Sequence, residues 1–386
     1  MRRYVRTTIL FIFGLAFLSF MSCNKKETTS VVQSGLSVED FEATSLNAYP
    51  IMGYLETGSP TAPVLDGDGN EPIWGLTMPF DVETETNSGA GPTVTLKALY
   101  DNYYVFILAT WEDTSKSEQK DFWWLGKPNS GDTTYADPNI EYSWHRISEP
   151  FYNYLGTVDK IRVDTTVVPP DTQIIYEYNK VEFSGDEDGL AIMFNVNATN
   201  FLNCTNMCHG TTMQTDTDEN VDIWYWHAGL SNPKKYADDL YMDTEGIAGD
   251  KGDAVFKENI KDDGPGFATP QDPGANVPVL YDSVSVPYYS TLPWVGGNRI
   301  PGYIIQNPTD QRADIQAVGK HDGSKWTVEI RRPLNTLIED DKTDIIINPD
   351  TDANLEFHLA VYNNSHGADH AISTGVQLMH FLQYNQ

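Results

Sequence analysis

Alternation of apolar and polar residues at every second position is the feature that most restricts the fold of this chain. Val94-Thr95-Leu96-Lys97-Ala98-Leu99 and Tyr104 to Trp111 are two such runs, separated around Asp101-Asn102. Successive side chains of a strand point to opposite faces, so each run turns one face to a core, and the pair reads as a hairpin. A second hairpin spans Asp314 to Ile330. Its turn is His321-Asp322-Gly323-Ser324, and Trp326, Val328 and Ile330 share a face. Leu190-Ala191-Ile192-Met193-Phe194, Ile345-Ile346-Ile347 and Leu355 to Tyr362 supply further strands. Helix-period patterning is confined to short stretches near Leu230 to Leu240 and Asp253 to Ile260. Many short strands joined by Gly- and Pro-rich connections predict an all-β fold, an antiparallel β-sandwich with long loop insertions and few short helices.

The chain start points to export. Arg2, Arg3 and Arg6 precede an apolar run from Ile9 to Phe20, too short to span a bilayer comfortably and typical of a signal peptide. Phe20-Met21-Ser22-Cys23 resembles a bacterial lipobox, with Phe20 where Leu is usual. That resemblance implies lipidation of Cys23 and a place in the bacterial cell envelope, anchored at the periplasmic face of a membrane. An uncleaved signal anchor or ordinary secretion is the plainer alternative. Residues 1–22 are then the signal peptide, 23–50 a polar tether, and 51–386 a single domain with insertions near 113–170 and 243–302. Long ordered insertions on a sandwich commonly surround a ligand site.

Composition narrows the partners. Against 55 acidic residues stand 25 basic ones, a net charge of −30, which would repel nucleic acid and excludes it as a partner. Aromatic residues make up 12% of the chain, too many for a disordered polyanion.

Cysteine usage is sharper. There are three cysteines, and two of them lie in Cys204-Thr205-Asn206-Met207-Cys208-His209. Covalent haem attachment uses two thiols and a histidine directly after the second, usually spaced C-x-x-C-H. Here the spacing is C-x-x-x-C-H, which keeps the histidine beside the second thiol. The residues alone also allow a small Cys204–Cys208 disulfide with His209 incidental. A zinc site would need a fourth ligand from afar, and copper could draw on Met207 or Met213.

The surroundings carry a family resemblance. After the cysteine segment come Val221-Asp222-Ile223-Trp224-Tyr225-Trp226 and Tyr236-Ala237-Asp238-Asp239, and before it Gly189 to Phe194. Leu65-Asp66-Gly67, Trp74, Trp111-Glu112-Asp113, Pro301-Gly302-Tyr303 and the block Gly323 to Thr336 complete the series. From about Leu65 to Phe381 the chain resembles the haem-binding domain of the ethylbenzene dehydrogenase γ-subunit family, also described as the cytochrome c-552/DMSO reductase-like haem-binding domain.

The resemblance implies a carbohydrate-binding-module-like sandwich that holds one haem and passes electrons. In the γ-subunits the haem is b-type, with methionine and lysine as axial ligands. The corresponding positions here are His209, before Asp222-Ile223-Trp224-Tyr225-Trp226, and His370, in the late loop Ser365 to Ser373. Both ligands depart from the γ-subunit pattern and the cysteines are additional, so the expectation is a c-type, bis-histidine haem attached through Cys204 and Cys208, with b-type haem as the alternative. His366 in the same loop, His227 and Met213 are alternates for the iron, and Trp224 and Trp226 are candidate pocket walls or core. Two histidines on iron leave no open position, which favours electron transfer over catalysis. The expected protein is therefore a lipid-anchored electron carrier, not an enzyme, serving a redox partner such as a reductase, dehydrogenase or membrane donor. Its rivals are a haem-free, carbohydrate- or ligand-binding sandwich and a haem enzyme or sensor with an open axial site.

Three acidic stretches share a D-x-D-x-N spacing: Asp66 to Asn70, Asp216 to Asn220 and Asp350 to Asn354. Alternating oxygens suit Ca²⁺, but the glycine and glutamate that complete an EF-hand loop are missing, and solvated Asx turns explain the pattern as well.

Overall fold

The alternating runs form strands in the computed structural model, which describes residues 44–51, 62–126, 143–147, 158–164, 171–176, 186–199, 201, 214–269, 277–290, 294, 298–336, 343–351, 354–364 and 370–383. Strand β1 is Leu46–Pro50, β2 Val94–Tyr100, β3 Tyr104–Glu112, β4 Gly189–Asn195, β5 Val221–His227 and β6 Asp238–Asp243. Strand β7 is Gly246–Gly249, β8 Gln316–His321, β9 Lys325–Pro333, β10 Leu355–Tyr362, β11 Ala371–Ser373 and β12 Gln377–Phe381. They pair in one continuous path, β7-β6-β5-β4-β10-β12-β1-β2-β3-β9-β8, with β11 beside β10. The fold is all-β, as the alternation predicts.

The path curls until its two halves face one another. Ile192, Phe194 and Trp224 from one half meet Leu96, Ile107 and Val328 from the other in a single core. Trp226 lies where the halves meet, its ring 6.3 Å from Trp111 and 5.1 Å from Trp326, both edge-on. Gly319 on β8 comes so close to that indole that a Cβ there would stand 2.2 Å from the Trp226 ring, so only glycine lets the strand approach. Beyond it, the Ala317 N–H donates to the Lys235 carbonyl at 3.1 Å and ties the far edge of the curl together.

Three local expectations need correction. The tether was expected to reach residue 50, yet Leu46–Pro50 is a buried strand in mid-sheet, parallel to both β12 and β2. Its alternation is masked because both faces are covered. Ile345-Ile346-Ile347 is not a strand, because side chains capture its backbone. The Ile345 N–H donates to Asp222 Oδ2 at 3.0 Å, and its carbonyl accepts from Arg332 Nη1 at 2.7 Å. The stretches expected to be short helices hold a 3-10 turn at Asn232–Lys234, the start of β6 at Asp238 and a strand at Phe256–Glu258; Lys235, with φ at +67°, ends the turn.

The insertions are also more ordered than loops. Phe122–Gly126 pairs with Ser143–Ile147 from the first insertion and with Arg299–Pro301 from the second. The two insertions thus share one small sheet.

Candidate functional site

Strands β5, β4 and β10 lie side by side, and the two-residue period gives them two distinct faces. Trp224 and Trp226, with Phe194 and Leu359, enter the core between the halves. Ala191, Met193, Ile223 and Ala360 face the other way and form a second apolar layer with Phe201 and Ile372. Trp224 stacks on Phe194 at 4.5 Å, so both tryptophans back the sheet from the core side.

The outer face carries a row of rings. Ala191 is registered with Tyr225 and with Ala360, and Gly189 with His227 and Tyr362. Because β4 offers only glycine and alanine here, Tyr225 and Tyr362 reach across it and meet with ring centroids 5.0 Å apart. A Cβ on Gly189 would come within 3.0 Å of the Tyr225 ring. His227 extends the row at one end, 3.7 Å from Tyr225. His370 extends it at the other, stacked on Tyr362 at 5.0 Å with 29° between the planes. Burial pushes the Tyr225 phenol well above its ordinary range, and the neighbouring Tyr362, Glu187 and Asp186 reinforce that, so it stays neutral.

The His227 end of the row is braced. Glu187 is buried; its Oε1 lies 3.0 Å from His227 Nδ1, and its Oε2 accepts the N–H groups of Gly229 at 2.7 Å and Leu230 at 3.0 Å. A carboxylate that already accepts two backbone donors makes Nδ1 the protonated nitrogen of His227. On β10, His358 Nε2 donates to the Phe201 carbonyl at 3.0 Å. Nδ1 therefore accepts, from the Ser373 hydroxyl at 2.9 Å. Phe201 is buried against the His358 ring at 5.0 Å, and in the sequence it stands three residues before Cys204.

This anchor titrates. Burial lowers the His358 pKa from its ordinary 6.5, so the folded protein keeps it neutral in a range where the unfolded chain takes up a proton. Stability from this group is complete above about pH 6.5 and is lost as pH falls through the folded value. His358→Gln is expected to flatten the acid side of the urea-midpoint profile between about pH 7 and pH 5. An unchanged slope would show that His358 is not the titrating anchor.

Cys204, Cys208, His209, Met213, His366 and Cys23 lie outside the described residues. Of the other candidates, His370 and His227 come to the same outer face, together with His358. Glu187, Tyr225, Tyr362, Gly189 and Phe201 were missed by sequence reasoning. The available signal was the pair of small residues two apart, Gly189 and Ala191, which marks a face where something else approaches the backbone. The first D-x-D-x-N stretch forms an Asx turn, the Asp68 N–H donating to Asp66 Oδ1 at 2.8 Å.

A curled sheet with a tryptophan core on one face and a histidine- and tyrosine-bearing site on the other defines a β-sandwich-like module with a built outer site. The sequence profile described as ethylbenzene dehydrogenase matches residues 71–372, and the chain belongs to that family. The match does not extend to the cytochrome c-552 side of the resemblance. Ethylbenzene dehydrogenase is an enzyme family, which corrects the expectation that this chain is a carrier and not an enzyme. No curated protein matches. Among solved structures, a proposed carbohydrate-binding protein from Bacteroides uniformis ATCC 8492 aligns over 88% of this chain and 99% of its own, at 6% identity and a TM-score of 0.32. Likeness of that degree says nothing about a ligand.

Proposed function

We propose that this chain is the haem-holding, electron-relaying part of an oxidoreductase of the ethylbenzene dehydrogenase family. It is held by a lipid on Cys23 at the periplasmic face of a bacterial membrane and serves a redox partner protein. One observation carries the reading. His370 stands on the same sheet face as Phe201, from which the chain enters Cys204-Thr205-Asn206-Met207-Cys208-His209.

The face suits a porphyrin. The rings of Tyr225 and Tyr362, meeting over Gly189 and Ala191, would offer a porphyrin a flat aromatic surface above an apolar layer. His209 and His370 would hold the iron, and Cys204 and Cys208 would make the covalent links; without those links the same face would suit b-type haem. Haem, when bound, supplies one-electron oxidation and reduction at iron. The protein supplies placement. Tyr362 fixes the plane of the His370 imidazole by stacking, and the His358 bond to the Phe201 carbonyl anchors the chain three residues before Cys204. Glu187 orients His227 at the far end of the row, and the apolar layer keeps water from the face.

The test is the absorption spectrum of the full chain expressed with cytochrome maturation machinery. A low-spin, six-coordinate haem spectrum is expected, with colour that survives acid-acetone extraction; extractable haem would mean b-type. His209→Ala and His370→Ala should each abolish the low-spin spectrum. A colourless protein with a Cys204–Cys208 disulfide would overturn the proposal, and an unchanged spectrum in His370→Ala would remove that ligand.

A further inference from the structure

The core face of β5 and β6 holds a cluster that the outer site does not use. Asp222 on β5, Asp239 on β6 and Asp344 after β9 are all buried, and one oxygen from each lies within 4.8 Å of the others. A single cation faces them, the fully buried guanidinium of Arg332, with Nη2 at 3.1 Å from Asp222 Oδ2 and 3.1 Å from Asp344 Oδ1. Arg332 is also committed elsewhere, since Nη1 donates to the Ile345 carbonyl and the guanidinium lies 5.2 Å over the Trp224 ring.

Asp239 is the telling residue. It has no solvent exposure, and among the described residues no hydrogen-bond donor reaches either of its oxygens. Asp222 Oδ1 and Asp344 Oδ2, turned away from the contacts with Arg332, are likewise without donors. Buried carboxylate oxygens are otherwise nearly always satisfied, and an uncompensated one is costly. Asp250, buried beside Asp344, adds a fourth carboxyl, so the single guanidinium leaves most of the acidic charge of the cluster unbalanced.

We propose that Asp222, Asp239 and Asp344 bind one Ca²⁺ ion inside the fold. The donor set is oxygen only, which selects a hard cation. Three side-chain oxygens brought from separate segments suit the irregular coordination of Ca²⁺ better than the strict octahedron of Mg²⁺. A divalent ion offsets two of the negative charges that Arg332 leaves unbalanced. The ion ties together β5, β6 and the segment after β9, and so stiffens the sheet from behind the outer site.

The full mature chain, purified in detergent without chelator, is expected to carry one calcium per chain by inductively coupled plasma mass spectrometry. After refolding, CaCl₂ should raise Tm by about 5 °C over EGTA, and MgCl₂ should not replace it. Asp239→Asn keeps the shape of the side chain and, folded by circular dichroism, should lose both the bound calcium and the Tm response. Should that variant not fold, Tb³⁺ carries the test on the unaltered chain. One equivalent should luminesce on excitation of tryptophan, with Trp224 beside the site, and Ca²⁺ but not Mg²⁺ should quench it. A chain without calcium, whose Tm is equal in EGTA and CaCl₂, overturns the proposal and leaves protons to balance the cluster. The metal content is read independently of the haem spectrum, so failure of one proposal is distinguishable from failure of the other.

Discussion

Arg332→Ala is expected to cost roughly 3–5 kcal/mol of folding free energy, measured as a fall in the urea midpoint at neutral pH. Arg332 is fully buried, and its removal leaves Asp222 and Asp344 without their ion-pair partner. It also strips the Ile345 carbonyl of its donor, which loosens the segment that closes the core after β9. The cost comes from the stranded carboxylates, so removing them together with the arginine should recover much of it. Arg332→Met combined with Asp222→Asn and Asp344→Asn is therefore expected to be more stable than Arg332→Ala alone. A single variant within about 1 kcal/mol of the parent would show that the guanidinium does not hold the cluster.

Trp226→Ala is the second large effect, again roughly 3–5 kcal/mol. The indole has no solvent exposure and touches Trp111 and Trp326 from the opposite half of the curl. Gly319 rests directly on it, so truncation opens a cavity that a strand backbone cannot readily collapse into. Trp226→Phe should lose distinctly less, because a ring remains under Gly319. Equal losses in the two variants would place the cost in the indole N–H, which donates to Asn232 Oδ1 at 3.3 Å, and not in packing.

Much of the fold was legible because alternation is a local signal. The β2–β3 hairpin, the β8–β9 hairpin and the strand at Leu190 to Phe194 all stand where the residues place them. The turn at Asp322 was legible for the same reason, its Oδ1 accepting from the Ser324 and Lys325 N–H groups at 2.9 and 3.0 Å. What alternation does not encode is which strands become neighbours. The pairing of Leu46 with Met379 joins residues from opposite ends of the chain, and no nearby residue announces it. Ile345 to Ile347 misled for a related reason, since the partners that take its backbone are the distant side chains Asp222 and Arg332. The site followed the same pattern. The histidines were visible one by one, but Tyr362 beneath His370 and Glu187 beside His227 emerge only from register.

The parallel strand β1 has a consequence for assembly. It is inserted between β12 and β2, so the middle of the sheet waits for a strand made early and a neighbour made last. Until β12 is in place, β1 and β10 each expose an unpaired edge, the kind of surface that invites wrong pairing between chains. Contacts of such long sequence separation also slow folding. The sheet is thus expected to stay incomplete until Gln377–Phe381 has been made, so that it closes late in folding.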